Sequence, residues 1–181
     1  RDVAPSRGLG DVYKRQFIPF FTFASQVGDR TIPVEVAQLS DSLKRMYAPD
    51  KRVALFDVDY SFAGKNVMLR GVTTSAEAKA ALLQGLAKAD YKVMDCIQVL
   101  PDVKGLEGKT YGIINVSVAN LRAAPDFSSE MMTQGLMGMP VHVLQRDGWV
   151  HIQTPDNYIA WVHRVGVHLV NLSLIHISEP T

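Results

Sequence analysis

The hydrophobic pattern of the first half of the chain changes period along its length. From residue 33 to residue 46 apolar side chains recur every three or four positions, and this spacing predicts a helix that ends at the Tyr-Ala-Pro-Asp segment. Residues 52–62 alternate instead between apolar and polar side chains, which predicts a half-buried strand. An Ala-Gly-Lys turn follows, and residues 66–72 are the predicted hairpin partner.

A second helix is predicted after this hairpin. Thr74 and Glu77 have capping-box spacing, and the residues that follow place one apolar stripe along a helix. Residues 91–100 predict a third strand, and the polar segment 102–110, with its glycines, predicts a linker. The order helix, strand, strand, helix, strand predicts an α+β domain over residues 31–101.

Beyond the linker every signal favours strands. Short apolar segments at 111–119, 139–144, 149–154 and 158–163 are separated by turns such as Arg-Asp-Gly and Pro-Asp-Asn. About five short strands predict a small β-barrel over residues 111–170. A small barrel has little area for a core, so we expect both tryptophans, Trp149 and Trp161, to be core residues that cover its two ends.

Composition and charge narrow the classes of function. The chain is 47% hydrophobic and 20% charged, as in an ordinary globular protein. Residues 17–172 carry 15 Lys and Arg against 15 Asp and Glu, so this body is neutral. A neutral body without a basic run argues against nucleic acid or an anionic membrane surface as a partner. One cysteine, Cys96, excludes an internal disulfide.

The two ends of the sequence differ from the rest. Residues 1–16 and 171–181 resemble translated sequencing-adaptor tails and are excluded from the fold prediction. Residues 17–30 contain a short apolar run behind Lys14 and Arg15 that resembles the end of a secretory signal peptide; the alternatives are a buried strand or a disordered segment. This predicts a periplasmic or secreted protein. No apolar run reaches the length of a transmembrane helix.

Two stretches resemble known families. The phrase VMLRGVTTSAEAKAALLQGL, within the predicted α+β order, resembles the BON-type domain of bacterial envelope proteins; the alternative is another small α+β sandwich. Asn120-Leu121-Arg122, Gly148-Trp149 and Tyr158-Ile159-Ala160-Trp161 resemble a bacterial SH3-type domain, with Ala160 where glycine is usual. The fold class is therefore α+β followed by all-β: a small BON-like α/β sandwich plus an SH3-like β-barrel.

Together the two domains resemble the N-terminal region of Bacteroidetes-type cell-wall cysteine peptidases of the NlpC class. The resemblance implies that a catalytic domain follows and is missing from this chain. Those enzymes hold their nucleophile in an Asp-Cys-Ser-Gly-Phe context at a helix start. Here Ile97 and Gln98 replace the Ser-Gly after Asp95-Cys96, in a predicted strand, so Cys96 is predicted to be a core or sheet cysteine and no residue is predicted to be catalytic.

Histidines and loop residues are the other candidates. His142, His151 and His163 show no metal-binding spacing, so they are predicted to be surface residues, with no metal and no cofactor. Predicted ligand contacts lie in and just before the long loop that follows Asn120-Leu121-Arg122, and in the later Pro-Asp-Asn turn. They are Asn120, Arg122, Asp126, Phe127, Ser128, Glu130, Asp156, Asn157 and Tyr158. Arg122 either grips a ligand carboxylate or pairs within its own loop. The methionines at 131, 132, 137 and 139 favour a surface packed on another domain.

These observations predict a non-catalytic region that targets or positions a peptidoglycan hydrolase, with the peptidoglycan stem peptide and the missing catalytic domain as partners. The alternative is a free-standing envelope adaptor whose barrel binds a peptide or protein.

Overall fold

The computed structural model describes residues 32–171, which form an α+β unit and a β unit. The predicted tails and the predicted signal-peptide remnant lie outside these residues, apart from Asn171. The first unit runs in the order α1 (Val34–Tyr47), β1 (Phe56–Ala63), β2 (Asn66–Thr73), α2 (Ala76–Lys88) and β3 (Lys92–Val99). The predicted order of helices and strands is confirmed. No helix within residues 32–171 is long and apolar enough to cross a membrane.

The first unit is a three-stranded sheet with both helices on one face. β1 and β2 are antiparallel, and β2 and β3 are parallel. Parallel neighbours need a crossover connection, and α2 provides it. Alternate strand residues such as Phe62 and Leu69 meet Leu43 of α1 and Leu82 of α2 in one core. On the opposite face, β1 exposes the polar residues of its alternation, Asp57, Asp59 and Ser61.

Two local predictions in this unit are corrected. The cap of α2 is Ser75, whose hydroxyl accepts a hydrogen bond from the Ala78 amide at 3.0 Å. Thr74, the predicted cap, instead accepts one from the Leu55 amide and ties the helix start to β1. β1 begins four residues later than predicted, because the Asp50 carbonyl accepts from the amides of residues 53 and 54 and folds that segment into a turn.

The second unit is one seven-stranded sheet. Its strands are β4 (Tyr111–Ile114), β5 (Val118–Arg122), β6 (Met131–Leu136), β7 (Pro140–Asp147), β8 (Trp149–Gln153), β9 (Ile159–His163) and β10 (Val167–Val170), and a short 3₁₀ helix (Arg164–Gly166) joins the last two. The order across the sheet is β10, β4, β7, β8, β9, β5, β6. β6 and β10 are its two edges, so the curled sheet is open and not a closed barrel.

Strand boundaries in this unit differ from the prediction in four places, one of which is the end of β7, at Asp147 instead of Leu144. The single strand predicted at 111–119 is two strands, since β4 pairs with β7 and β10 whereas β5 pairs with β6 and β9. Strands β6 and β10 were not predicted at all. Both lie at an edge of the sheet, and neither shows a regular alternation of buried and exposed side chains, which is the signal that predicts a strand.

The core of the β unit lies on the Val and Ile face of the β8–β9 hairpin. Val150 pairs with Val162 and Ile152 with Ala160, and these side chains are buried. The tryptophans lie on the opposite, outer face. The prediction that Trp149 is a core residue is therefore wrong: it is only half-buried, whereas Trp161 is 7% exposed. Nor do they cover two ends of a barrel, because they occupy neighbouring cross-strand pairs of one face.

The two units are in contact. Leu144 and Ile159 of the β unit pack with Leu100 at the end of the first sheet, and the Ile159 amide donates to the Arg52 carbonyl at 2.6 Å. The segment predicted as a linker takes part in this packing. Leu106 is 3% exposed within the core of the β unit, and the Asp102 amide donates to the Leu144 carbonyl at 2.7 Å.

Candidate functional site

The side chains on the outer face of the β8–β9 hairpin become more exposed to solvent from one end of the hairpin to the other. At one end Ile159, opposite Gln153, is buried where the first unit packs. In the middle the rings of His151 and Trp161 lie parallel at 4.1 Å, and both are buried. At the far end Trp149 pairs with His163, and both are half-buried. The accessible part of this face is therefore the Trp149 end.

Three aromatic side chains meet at this open end. The ring of Phe127, from the long loop, lies 4.8 Å from Trp149 and 5.2 Å from His163, and Trp149 lies edge-on to His163 at 5.3 Å. Phe127 is nevertheless 67% exposed. We call Phe127, Trp149 and His163 the aromatic cluster. A large apolar side chain held in place by two rings and still facing solvent forms a preorganised contact surface.

The loop that carries Phe127 is held by its own hydrogen bonds. The Ala123 amide donates to the Glu130 carbonyl at 2.9 Å, and the Ser129 hydroxyl accepts from the Ala124 amide at 2.9 Å. The Asp126 carboxylate accepts from both the amide and the hydroxyl of Ser128, each at 2.7 Å. These two hydrogen bonds lower the pKa of Asp126 below its ordinary value. Loop 123–130 thus presents Phe127 from an ordered turn.

Arg122 supports this loop from strand β5. Its Nη1 donates to the Ser129 carbonyl at 2.6 Å, and its backbone lies opposite Trp161. Of the two roles predicted for Arg122, the structure shows the pairing within its own loop. Its other N–H groups make no side-chain hydrogen bond within residues 32–171.

The remaining predicted ligand residues are not all close to the cluster. Asn120 pairs with Gln134 across β5 and β6 at 3.0 Å, and Glu130 is exposed at the end of the loop. Asp156, Asn157 and Tyr158 form the turn at the other end of the hairpin. Five-residue strands separate the two ends by about 14 Å.

That turn belongs to the contact with the first unit. The guanidinium of Arg52 lies 5.9 Å from the centre of the Tyr158 ring, and Gln153 donates from its side chain to the carbonyls of Val53 and Asn157. Asp156 is exposed beside it. The structure therefore divides the predicted binding residues into two groups, of which loop 123–130 lies at the aromatic cluster.

Sequence reasoning missed Trp149 and His163 as members of this surface. The signal was available in the alternation of β8, where Trp149 shares a face with His151 and Gln153 while Val150 and Ile152 form the other face. The size of Trp149 favours a place in the core, whereas the alternation places it on the polar face of β8.

The prediction that His151 is a surface residue is also wrong. It is 6% exposed, and this burial lowers its pKa to about 3. Its Nδ1 lies 3.5 Å from the Gln145 side-chain nitrogen. His142 is half-buried against Tyr111, with its pKa lowered by burial as well. Among residues 32–171, no three His, Cys, Asp or Glu side chains lie close enough together to hold a metal ion.

Cys96 lies in strand β3, next to Arg70 of β2, and it is exposed on the sheet face away from the helices. It is a sheet cysteine and not a core one. All four histidines within residues 32–171 belong to the β unit. The described part of the first unit therefore contains no imidazole that could act as a base for Cys96.

The methionines divide between the core and the surface. Met132 and Met139 pack against the core of the β unit. Met131 and Met137 are exposed on and just after edge strand β6, together with Leu136.

Comparison with known families gives one match. Residues 121–165 match the family model described as the bacterial dipeptidyl-peptidase SH3 domain. The matched segment contains loop 123–130 and the whole aromatic cluster, so the β unit contains a bacterial SH3-type domain. No curated protein matches the chain.

Proposed function

We propose that the β unit is a non-catalytic cell-wall module of a peptidoglycan hydrolase and that its aromatic cluster contacts the peptidoglycan stem peptide. The hydrolytic step then belongs to a separate cysteine peptidase domain of the NlpC class. The observation that carries this proposal is the exposure of Phe127 on Trp149 and His163, inside the segment that matches a peptidase-associated SH3 family.

The chemistry of the surface suits a peptide better than a charged polymer. The neutral body gives no general attraction to an anionic wall, so recognition must come from a few directed contacts. The aromatic cluster offers apolar contact to the methyl and methylene groups of a stem peptide. The N–H groups of Arg122 that make no side-chain hydrogen bond within residues 32–171, and the polar loop beside it, are suited to the carboxylates and amides of the peptide.

The proposal extends to the first unit and to the location of the protein. The first unit is proposed to be a BON-like domain because its helices and strands follow one another in the expected order. Its packing on the β unit would hold the module in a fixed orientation. A periplasmic or secreted location is proposed because a stem peptide is found there.

The test is an NMR titration of the chain with soluble stem-peptide fragments. We expect shifts at the Trp149 indole and in loop 123–130, with a dissociation constant in the micromolar to millimolar range, about 10⁻⁶ to 10⁻³ M. Phe127→Ala should weaken binding without unfolding the unit, because the Phe127 side chain is 67% exposed.

Met137→Ala is the matched control, since Met137 is 61% exposed in the same unit and lies outside the aromatic cluster. Equal weakening by both substitutions would indicate non-specific apolar association. Absence of shifts at the cluster, with a catalytic domain supplied in trans, would contradict the proposal.

An adaptor remains the second candidate, and one observation favours it. Val118 and Leu136 are cross-strand partners near the β6 edge, and both are exposed, as are Met131 and Met137. An edge strand with exposed apolar side chains is suited to pairing with another protein. Shifts confined to β5 and β6 when a candidate protein partner is added, with none from stem peptide, would favour this function.

A further inference from the structure

A second concave surface of the β unit differs in chemistry from the aromatic cluster. A cavity of about 440 Å³ opens between the β7–β8 hairpin, the 3₁₀ helix and strand β10. Its polar lining comes from Lys109, Arg146, Arg164 and His168, and its apolar lining from Val150, Val165, Val167 and Leu169. It shares no residue with the aromatic cluster.

The positively charged side chains of the β unit are concentrated at this cavity. Residues 109–171 contain four Lys and Arg and four Asp and Glu, so the segment is neutral. Three of the four cations line the cavity, and none of the acids does. Asp147 follows Arg146 in sequence, but it pairs with Trp149 on the outer face, whereas Arg146 pairs with Val150 on the other.

These cations have no carboxylate partner in the described part of the chain. The ion pairs there join Arg52 with Asp50, Lys65 with Asp90 and Lys79 with Asp95. Three cations that have no acidic partner among residues 32–171 repel one another around this concavity, and a bound anion would relieve that repulsion.

We propose that this cavity binds a phosphate-bearing ligand. Two guanidinium groups offer planar, paired N–H donors that match phosphate oxygens, and Lys109 adds a third positive charge. Three positive charges are more than one carboxylate neutralises, which favours a multiply charged phosphate group. The apolar lining provides a surface for the body that carries this group. The inference is independent of the proposed peptide-binding function, since the two surfaces use different side chains.

The experiment is a titration of the intact chain with inorganic pyrophosphate, followed by NMR at constant ionic strength. We expect shifts at Arg146, Arg164 and His168, and weaker binding of acetate. The double variant Arg146→Gln, Arg164→Gln should raise the pyrophosphate dissociation constant by about tenfold or more, because each guanidinium contributes charge-assisted hydrogen bonds. Both side chains are exposed, so the variant should fold.

The matched control is Arg45→Gln with Lys88→Gln, which removes the same charge from the first unit. Glycerol phosphate and a linear polyphosphate form two further arms that separate a phosphomonoester from a phosphoanhydride chain as the source of the phosphate. The proposal is overturned if acetate binds as tightly as pyrophosphate, if the control variant loses as much affinity, or if no shift occurs at the lining residues up to about 10 mM ligand, a concentration beyond the weak end of specific binding.

The two proposals can fail separately. The Arg146, Arg164 double variant should bind stem peptide as the unmodified chain does, and Phe127→Ala should leave pyrophosphate binding unchanged. Loss of both activities in either variant would mean that the cavity and the aromatic cluster form a single site, and the cavity as an independent phosphate site would then be wrong.

Discussion

Replacing each tryptophan by alanine separates the two roles that the structure gives them. Trp161 is buried, and its ring is stacked on His151. Trp149 lies on the same face but at its open end, where it touches Phe127 and His163. We therefore expect Trp161→Ala to be much more destabilising than Trp149→Ala.

The magnitudes follow from burial. Truncation of a buried tryptophan costs about 3–5 kcal/mol, and we expect Trp161→Ala to fall in this range. Trp149→Ala removes two aromatic contacts, each of about 0.5–1.5 kcal/mol. Because Phe127 is largely exposed, the lower end of that range applies, and loss of the partly buried ring area raises the total to about 2 kcal/mol.

The assay is urea unfolding followed by tryptophan fluorescence. The chain has two tryptophans, both in the β unit, so each single variant keeps one reporter of that unit. The midpoint should fall further for Trp161→Ala at an unchanged slope. Equal losses, or a larger loss for Trp149→Ala, would refute the assignment of Trp149 to the outer surface.

Two further predictions concern backbone space and protonation. Gly71→Ala should destabilise the first unit strongly in urea unfolding, because its Cβ would lie 1.9 Å from the Asp57 carbonyl oxygen, whereas Gly64→Ala meets open space and should cost only about 1–2 kcal/mol for its positive φ. The pKa of His151 is about 3 in the folded unit against about 6.5 unfolded, so only the unfolded chain takes up this proton as the pH falls below 6.5. Stability should thus decline from pH 6.5 toward pH 3, by up to about 1.4 kcal/mol per pH unit. His151→Phe, which keeps a ring against Trp161, should flatten this decline when both proteins are compared by urea unfolding; an unchanged pH dependence would contradict the assignment.

The parts of the fold that could be predicted are those in which hydrophobic period and burial agree. In the first unit one face of each strand meets the helices, so alternation in β1 and the apolar stripe of α2 both describe the same core. The β8–β9 hairpin was predictable for the same reason. Edge strands β6 and β10 were not, since their buried and exposed side chains do not alternate regularly.

The candidate site was predicted only in part, because alternation divides a strand into two faces without saying which one is inside. In β8 the larger side chain, Trp149, suggested one face, but the core of a small sheet is filled by Val150 and Ile152. Phe127 was predicted as a ligand residue from its place in the loop. Its rigid support by Trp149 and His163 depends on strand register, which the sequence alone does not contain.

The packing of the first unit leaves the aromatic cluster as the accessible end of the outer face. That unit covers the Ile159 end of the β8–β9 hairpin and uses Arg52 to contact Tyr158, so the turn at 156–158 is committed to an internal contact. The outer face can then meet a ligand only at its other end, where Phe127 is exposed and Trp149 is half-buried. Under the proposed function, a module that binds a wall peptide beside a catalytic domain must present one surface in a fixed direction. The contact between the two units provides that direction, because it leaves a single open end on this face.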